Sequence, residues 1–193
     1  HFSFTTLVLK RENVALSINA KVSASIRGDG ISIYPLETPG CYTKVWSKID
    51  KIHAISKDLL TSARIEGLND LDKTVIIHPA IDEKYFRKNK KTTSKIYGKD
   101  KILFLTVARL HWKKGLEDTI YAMSILKKNN IPFEYTIIGE GVEIERLSYI
   151  RNQLNMNKEI IFAGPKNHNE IRSYYENADS YIQYSIQEGF SNA

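Results

Sequence analysis

Lys101-Ile-Leu-Phe-Leu-Thr-Val-Ala-Arg-Leu-His-Trp-Lys-Lys-Gly115 is the stretch whose reading decides the fold. Lys101–Val107 is a short, nearly continuous apolar run, the pattern of a strand buried on both faces of a parallel sheet. The chain then turns polar and reaches Gly115. Beyond it Leu116, Ile120, Met123 and Leu126 recur at helical spacing until Asn129-Asn130 closes the helix. A buried strand, a cationic loop and an amphipathic helix make half of a βαβ unit.

The same alternation continues toward the carboxyl end. Phe133–Ile138 predicts a strand, and Gly139-Glu-Gly141 a turn. Ile144, Leu147, Ile150 and Leu154 predict a helix, Glu159–Phe162 a strand, and Gly164-Pro165 a turn. His168–Ala178 predicts a helix, with Ile171, Tyr174, Tyr175 and Ala178 on one face, and Asp179–Ser185 a fourth strand. Alternation of this kind predicts a parallel sheet with helices on both faces, and ligands bound at the carboxyl ends of its strands. Glu-Gly-Phe-Ser-Asn-Ala at the end reads as the first turn of a helix, whose free N–H groups suit a phosphate.

Working toward the amino end, the pattern is looser. Thr5–Ser17 and Tyr42–Ile49 are expected to be helical, as is Ser56–Glu66 with Ser56 as its N-cap. Lys21–Arg27, Lys51–Ile55 and Thr74–His78 are expected to be strands. Lys84–Lys99 is polar and lysine-rich and reads as a solvated linker. The fold class is therefore α/β, with two Rossmann-like parallel-sheet units. The expected division is an amino-terminal unit over residues 1–82, a linker over 83–99 and a second unit over 100–193.

Composition narrows the function. The 193 residues are 42% hydrophobic and 26% charged, the balance of a globular domain. The net charge of +6 suits an anionic ligand or an acidic membrane surface. Cys41 is the single cysteine, which excludes an internal disulfide and fits a reducing, cytoplasmic compartment. No RNP-like aromatic motif and no Cys/His zinc spacing are present, so nucleic acid is not an expected partner. Asp70-Leu-Asp72 spells a possible metal motif but lies in a polar loop before a strand, where a solvated turn is expected. Arg27-Gly28-Asp29 matches an adhesion tripeptide, a very weak signal at the close of a buried strand. His53, inside a predicted strand, is expected to be packed.

Arg109 and Lys114 are the candidate chemistry. A guanidinium fork and an ammonium in one strand-end loop can bracket a diphosphate from two sides. Spacing alone leaves open whether they do so or are ordinary surface cations. Glu188, beside Gly189, is either a sugar-hydroxyl acceptor or a carboxylate favoured by the helix dipole.

Taken in order, V-A-R-L-H-W-K-K-G, Y-T-I-I-G-E-G, I-I-F-A-G-P and A-D-S-Y-I-Q-Y-S-I-Q-E-G-F-S-N-A resemble the carboxyl-terminal half of family 4 glycosyltransferases of the GT-B fold. The resemblance covers Lys101–Ala193 well and the first half more weakly. His1-Phe2, Ser25–Asp29 and Val75–Asp82 resemble amino-domain segments of that family. It implies catalytic roles for Glu188, Arg109 and Lys114. Arg109 and Lys114 match the pair on the donor diphosphate, and Glu188 matches the first glutamate of E-x7-E, on the donor sugar. Gly139, Gly189, Phe190, Ser191 and Asn192 are implied in donor binding, the last three through amides at a helix start. Arg27 stands where many members have histidine, which gives it an acceptor-side role. The second glutamate falls beyond Ala193, so the chain reads as a fragment, expected to have weak or no activity alone. The implied reaction is retaining transfer of a sugar from a nucleotide-diphosphate donor to a hydroxyl, on a sugar or lipid-linked acceptor. It needs no cofactor and no metal, and takes place in the cytoplasm, with peripheral association at the inner membrane face. A nucleotide-sugar epimerase of the same fold and a non-catalytic nucleotide-sugar binding module are the alternatives.

Overall fold

Strand β1 (Ser23–Ile26) buries Ala24, Ser25 and Ile26, and β2 (Lys51–Ala54) buries Ile52 and Ala54. Their β-branched and small side chains suit a sheet covered by helices. With β3 (Thr74–Ile76) they form a parallel sheet in the order β1-β2-β3. The computed structural model describes residues 1–193 except 12, 87–99 and 192, and except the side chains of 15 and 16. Two units emerge. One is His1–Ile81 together with the segment that starts at Glu188; the other is Asp82–Gln187 with Ala193.

In the first unit, helix α1 (Lys57–Ile65) begins where expected. Ser56 Oγ accepts from the Leu59 N–H at 3.3 Å, satisfying one of the orphan donors of the first turn. Leu59 and Ala63 face a core that includes Ile26, Ile52, Tyr42, Trp46 and Leu68. The helices expected over 5–17 and 42–49 are not continuous. Residues Thr5–Leu7 form a 3-10 turn, and a separate turn of helix spans Val14–Ser17. Lys10 between them has φ 63, which no right-handed helix accommodates. Trp46–Lys48 is also only a 3-10 turn. Tertiary anchors decide its shape: Trp46 Nε1 donates to the Glu66 carbonyl at 2.8 Å, and the Tyr42 hydroxyl to the Gly30 carbonyl at 2.5 Å. Single helical turns at Asp29–Ser32 and Tyr34–Glu37 have too few residues to show a period.

The second unit follows the alternation closely. Its elements are β4 (Ile102–Val107), α2 (Leu116–Lys128), β5 (Phe133–Ile138), α3 (Ile144–Gln153), β6 (Ile160–Gly164), α4 (His168–Asn177) and β7 (Ser180–Tyr181). The strands are parallel in the order β6-β5-β4-β7. Leu116, Ile120 and Met123 of α2 and Leu147 and Ile150 of α3 bury against Phe133, Tyr135 and Ile137 of β5. A wholly buried aliphatic side chain such as Ile120 contributes about 1.5–3 kcal/mol. Asn167 caps α4 reciprocally: its Oδ1 accepts from the Asn169 and Glu170 N–H groups, and Glu170 Oε2 accepts from the Asn167 N–H.

β7 is shorter than the strand expected over 179–185. It pairs with β4 only at Phe104↔Ser180 and Leu105↔Tyr181. One step further the Thr106 hydroxyl donates to the Ile182 carbonyl at 2.6 Å, so a side chain takes the place of the next rung of the ladder. The segment expected to be linker starts as a helical turn, Glu83–Phe86, capped by Asp82. Tyr85 and Phe86 pack around His168 of α4, and Tyr85 Oη donates to Asn169 Oδ1 at 2.5 Å. The rest of that expected linker, 87–99, lies outside the described residues.

Candidate functional site

The strand order of the second unit sets the site. From β4 the chain moves outward through β5 to β6 and then returns to place β7 on the other side of β4. This reversal is a topological switch point, where loops leaving neighbouring strand ends diverge and open a crevice. The loop leaving β4 carries Arg109 and Lys114.

That loop is clamped by backbone contacts on both sides. Toward β5, Ala108 N–H donates to the Ile138 carbonyl at 3.0 Å, and Leu110 N–H to the Glu140 carbonyl at 2.8 Å. The Leu110 carbonyl accepts from the Glu143 N–H at 3.1 Å, and the Leu110 side chain is buried in the core. Inward-facing Leu110 leaves its neighbour Arg109 exposed at the rim. Gly139 has φ 138, and a Cβ there would stand 1.9 Å from the Ala108 carbonyl oxygen. A Cβ on Gly141 would likewise stand only 2.3 Å from the Leu110 carbonyl oxygen. Only glycine allows the two loops to meet.

Toward β7, Lys114 ends a 3-10 turn (Trp112–Lys114) capped by His111, whose Nδ1 accepts from the Lys113 N–H at 3.4 Å. Gly115 follows with φ 58, in the left-handed conformation, and redirects the chain into α2 as its sequence position predicts. Its missing side chain admits the Tyr184 carbonyl, which would lie 2.0 Å from a Cβ. Ile186 N–H donates to the Lys113 carbonyl at 2.8 Å. Arg109, Lys114 and Gly139 are thus gathered on one set of interlocked loops. Gly139 also lines a cavity of about 820 Å³ with Leu110, Gly141, Ile144, Phe162 and Pro165, while Arg109 and Lys114 are not part of its wall.

Glu188, Gly189 and Phe190 belong to the other unit. There a Cβ on Gly189 would lie 3.0 Å from Leu59 Cδ1 and 3.4 Å from the Arg27 carbonyl oxygen. The Phe190 ring stacks on His78, with centroids 5.3 Å apart. Glu188 and the Arg27 side chain are exposed, and Ser191 is half-buried. Asn192 lies outside the described residues. The helix start expected here is corrected: residues 185–191 form bends and irregular backbone. Tertiary contacts shape the segment instead: Gly189 packs where a Cβ would crowd Leu59, and Phe190 stacks on His78. His78 lies in the Val75–Asp82 segment noted in the sequence, but its contact with Phe190 is visible only in the fold. Gly141 reads from the sequence as part of a turn, and only the fold shows its approach to Leu110.

The remaining candidates behave as ordinary structure. Asp72 N–H donates to Asp70 Oδ1 at 3.2 Å, an Asx turn. His53 is packed between Ser25 Oγ at 3.1 Å and the Ile77 carbonyl at 3.0 Å. Among the described residues no helix is long and apolar enough to cross a membrane.

Residues 87–193, more than half of the chain, match the family model described as glycosyl transferases group 1. The chain belongs to that family. Over 82 residues this group 1 glycosyl transferase is 38% identical to the amylovoran biosynthesis glycosyltransferase AmsK of Erwinia amylovora, a match covering 42% of the chain and 20% of AmsK. Its fold resembles Anabaena HepE in complex with UDP and glucose, at 15% identity and a TM-score of 0.75, over 97% of this chain and 53% of HepE. It also resembles the sucrose-phosphate synthase of Thermosynechococcus elongatus, at 16% identity and a TM-score of 0.78, over 98% of this chain and 51% of that one. The two helix-flanked parallel sheets of this group 1 glycosyl transferase are those of the GT-B architecture. The chain spans about half the length of these solved structures, and its match covers about a fifth of the curated relatives.

Proposed function

We propose that this chain is part of a retaining glycosyltransferase that moves a sugar from a nucleoside-diphosphate donor to a hydroxyl acceptor in polysaccharide or glycolipid assembly. One observation carries the reading: Arg109 and Lys114 share a loop at the switch point of a parallel sheet, and glycine-mediated contacts at Gly115, Gly139 and Gly141 lock that loop. As the bond between sugar and diphosphate breaks, negative charge develops on the leaving phosphate. Preorganised cations stabilise that charge without having to reorganise as it forms. Arg109 would give a two-pronged contact and Lys114 a point charge.

Glu188 is assigned to the hydroxyls of the donor sugar, and Arg27 to the acceptor side. Both assignments, and retention at the anomeric carbon, rest on the motif resemblance. HepE binds UDP and glucose and AmsK is named for amylovoran biosynthesis, which supports a uridine nucleotide donor and a sugar or lipid-linked acceptor. The net charge of +6 supports peripheral association with an acidic membrane surface.

Calorimetric titration with UDP tests the core of the proposal. A charge-assisted contact is worth about 1.5–3 kcal/mol, so Arg109→Ala and Lys114→Ala should each weaken UDP binding about tenfold or more. Glu188→Ala should leave UDP affinity unchanged and weaken UDP-glucose binding. UDP affinity unchanged in both cation variants would sink the assignment.

A further inference from the structure

We infer that His78 is a positioning residue for the donor sugar: it fixes Glu188 by holding Phe190, two residues further along. The inference rests on the proposed role of Glu188. Three observations carry it. First, the His78 and Phe190 rings are stacked, with centroids 5.3 Å apart and planes 24° from parallel. Second, the imidazole is itself held, because His78 Nδ1 lies 2.8 Å from the Ile55 carbonyl oxygen. A carbonyl only accepts, so Nδ1 carries the proton and the ring orientation is set. Third, the residue between Glu188 and Phe190 lies close against the core of its unit. A Cβ on Gly189 would press to 3.0 Å from Leu59 Cδ1 and 3.5 Å from Ile55 Cδ1, and Leu59 is a core residue only 4% exposed.

These contacts form one chain of constraint. Ile55 follows β2, orients His78 through its carbonyl, and touches the Gly189 position with its side chain. Gly189 sits where a side chain would crowd Leu59, and Phe190 stacks on the oriented imidazole. A glutamate followed by glycine has a mobile backbone unless both flanks are pinned. Here the downstream flank is pinned by an aromatic contact worth about 0.5–1.5 kcal/mol beyond its buried area. That suffices to favour one orientation of the segment by several-fold, and a carboxylate held in place binds a sugar hydroxyl without first paying for ordering. His78 does not touch the sugar in this scheme; it acts through Phe190.

The test compares the wild-type chain with His78→Ala, His78→Phe and Phe190→Leu. Carbon-13-labelled histidine spectra report the stack directly: ring-current displacement of the His78 signals should vanish in Phe190→Leu. Affinities for UDP and UDP-glucose are then measured for each variant. His78→Ala should lower UDP-glucose affinity several-fold and leave UDP affinity unchanged, and His78→Phe, which keeps the stack but loses the bond to Ile55, should recover part of it. If His78→Ala weakens both ligands equally, its role is merely structural and the inference fails. It also fails if the His78 signals do not respond to Phe190→Leu, or if His78→Ala binds UDP-glucose as wild type does. A wild-type chain that binds UDP and UDP-glucose with equal affinity overturns the sugar role of Glu188, and this inference with it, even where the spectra show the stack.

Discussion

Gly139→Ala isolates the loop locking on which the site depends. The new Cβ would stand 1.9 Å from the Ala108 carbonyl oxygen and 2.9 Å from the Ala108 carbonyl carbon. Comfortable contact needs roughly 3.5 Å, so the Ala108–Arg109 backbone must retreat on the order of 1.5 Å. Retreat breaks the Ala108 N–H bond to Ile138 and the Leu110 N–H bond to Glu140, about 1 kcal/mol each. Holding alanine at φ 138 adds about 1–3 kcal/mol. The total is about 3–5 kcal/mol, a fall on the order of 10–20 °C in the melting of a unit this size. Gly164→Ala is the control. It too has positive φ, 69, but nothing lies within 4 Å of its Cβ, so the cost is about 1–2 kcal/mol. Calorimetric melting of both variants, with UDP titration of each, measures the difference. Gly139→Ala should melt well below Gly164→Ala and bind UDP about tenfold more weakly, because Arg109 moves with its loop. A Gly139→Ala chain that melts within about 2 °C of the Gly164→Ala control and binds UDP normally would refute the close approach itself.

Two further predictions concern stability. Asn167→Ala removes the side-chain oxygen that accepts from both the Asn169 and Glu170 N–H groups and should cost about 1 kcal/mol, seen as a lower urea midpoint at unchanged slope. Burial pushes the Tyr42 phenol up to about 12, above an ordinary tyrosine near 10. Because the folded value is the higher one, its contribution is complete below about pH 10 and is lost as pH rises through about 12. Tyr42→Phe should therefore lose about 1 kcal/mol at neutral pH, where the Gly30 carbonyl loses its donor, and the gap to wild type should narrow in alkali. Urea unfolding at pH 7 and pH 11 checks the sign.

The second unit was legible because its elements announce themselves locally. An apolar run such as Ile102–Val107 and a 3.6-residue period such as Leu116–Leu126 are set by burial of one continuous segment, and the structure reproduces both. The loop carrying Arg109 and Lys114, and the sharp turn at Gly115, were equally readable, since the strand end and helix start that frame them are local. Residues 42–49 misled because their apolar spacing is helical while their conformation answers to distant partners: the Tyr42 hydroxyl to Gly30, the Trp46 indole to Glu66. The helix expected over 5–17 is broken at Lys10, with φ 63. β7 looked longer than it is because no sequence rule reveals that the Thr106 hydroxyl intercepts the Ile182 carbonyl. The same division runs through the site. The sequence by itself determined which residues could meet a diphosphate, because cations at a strand end have a local signature. Only the tertiary structure decided what each glycine faces, why Gly139 and Gly141 tolerate no side chain, and that Phe190 rests on His78. Those contacts join residues far apart in the chain, and a contact of that kind is a property of the packed backbone rather than of either residue.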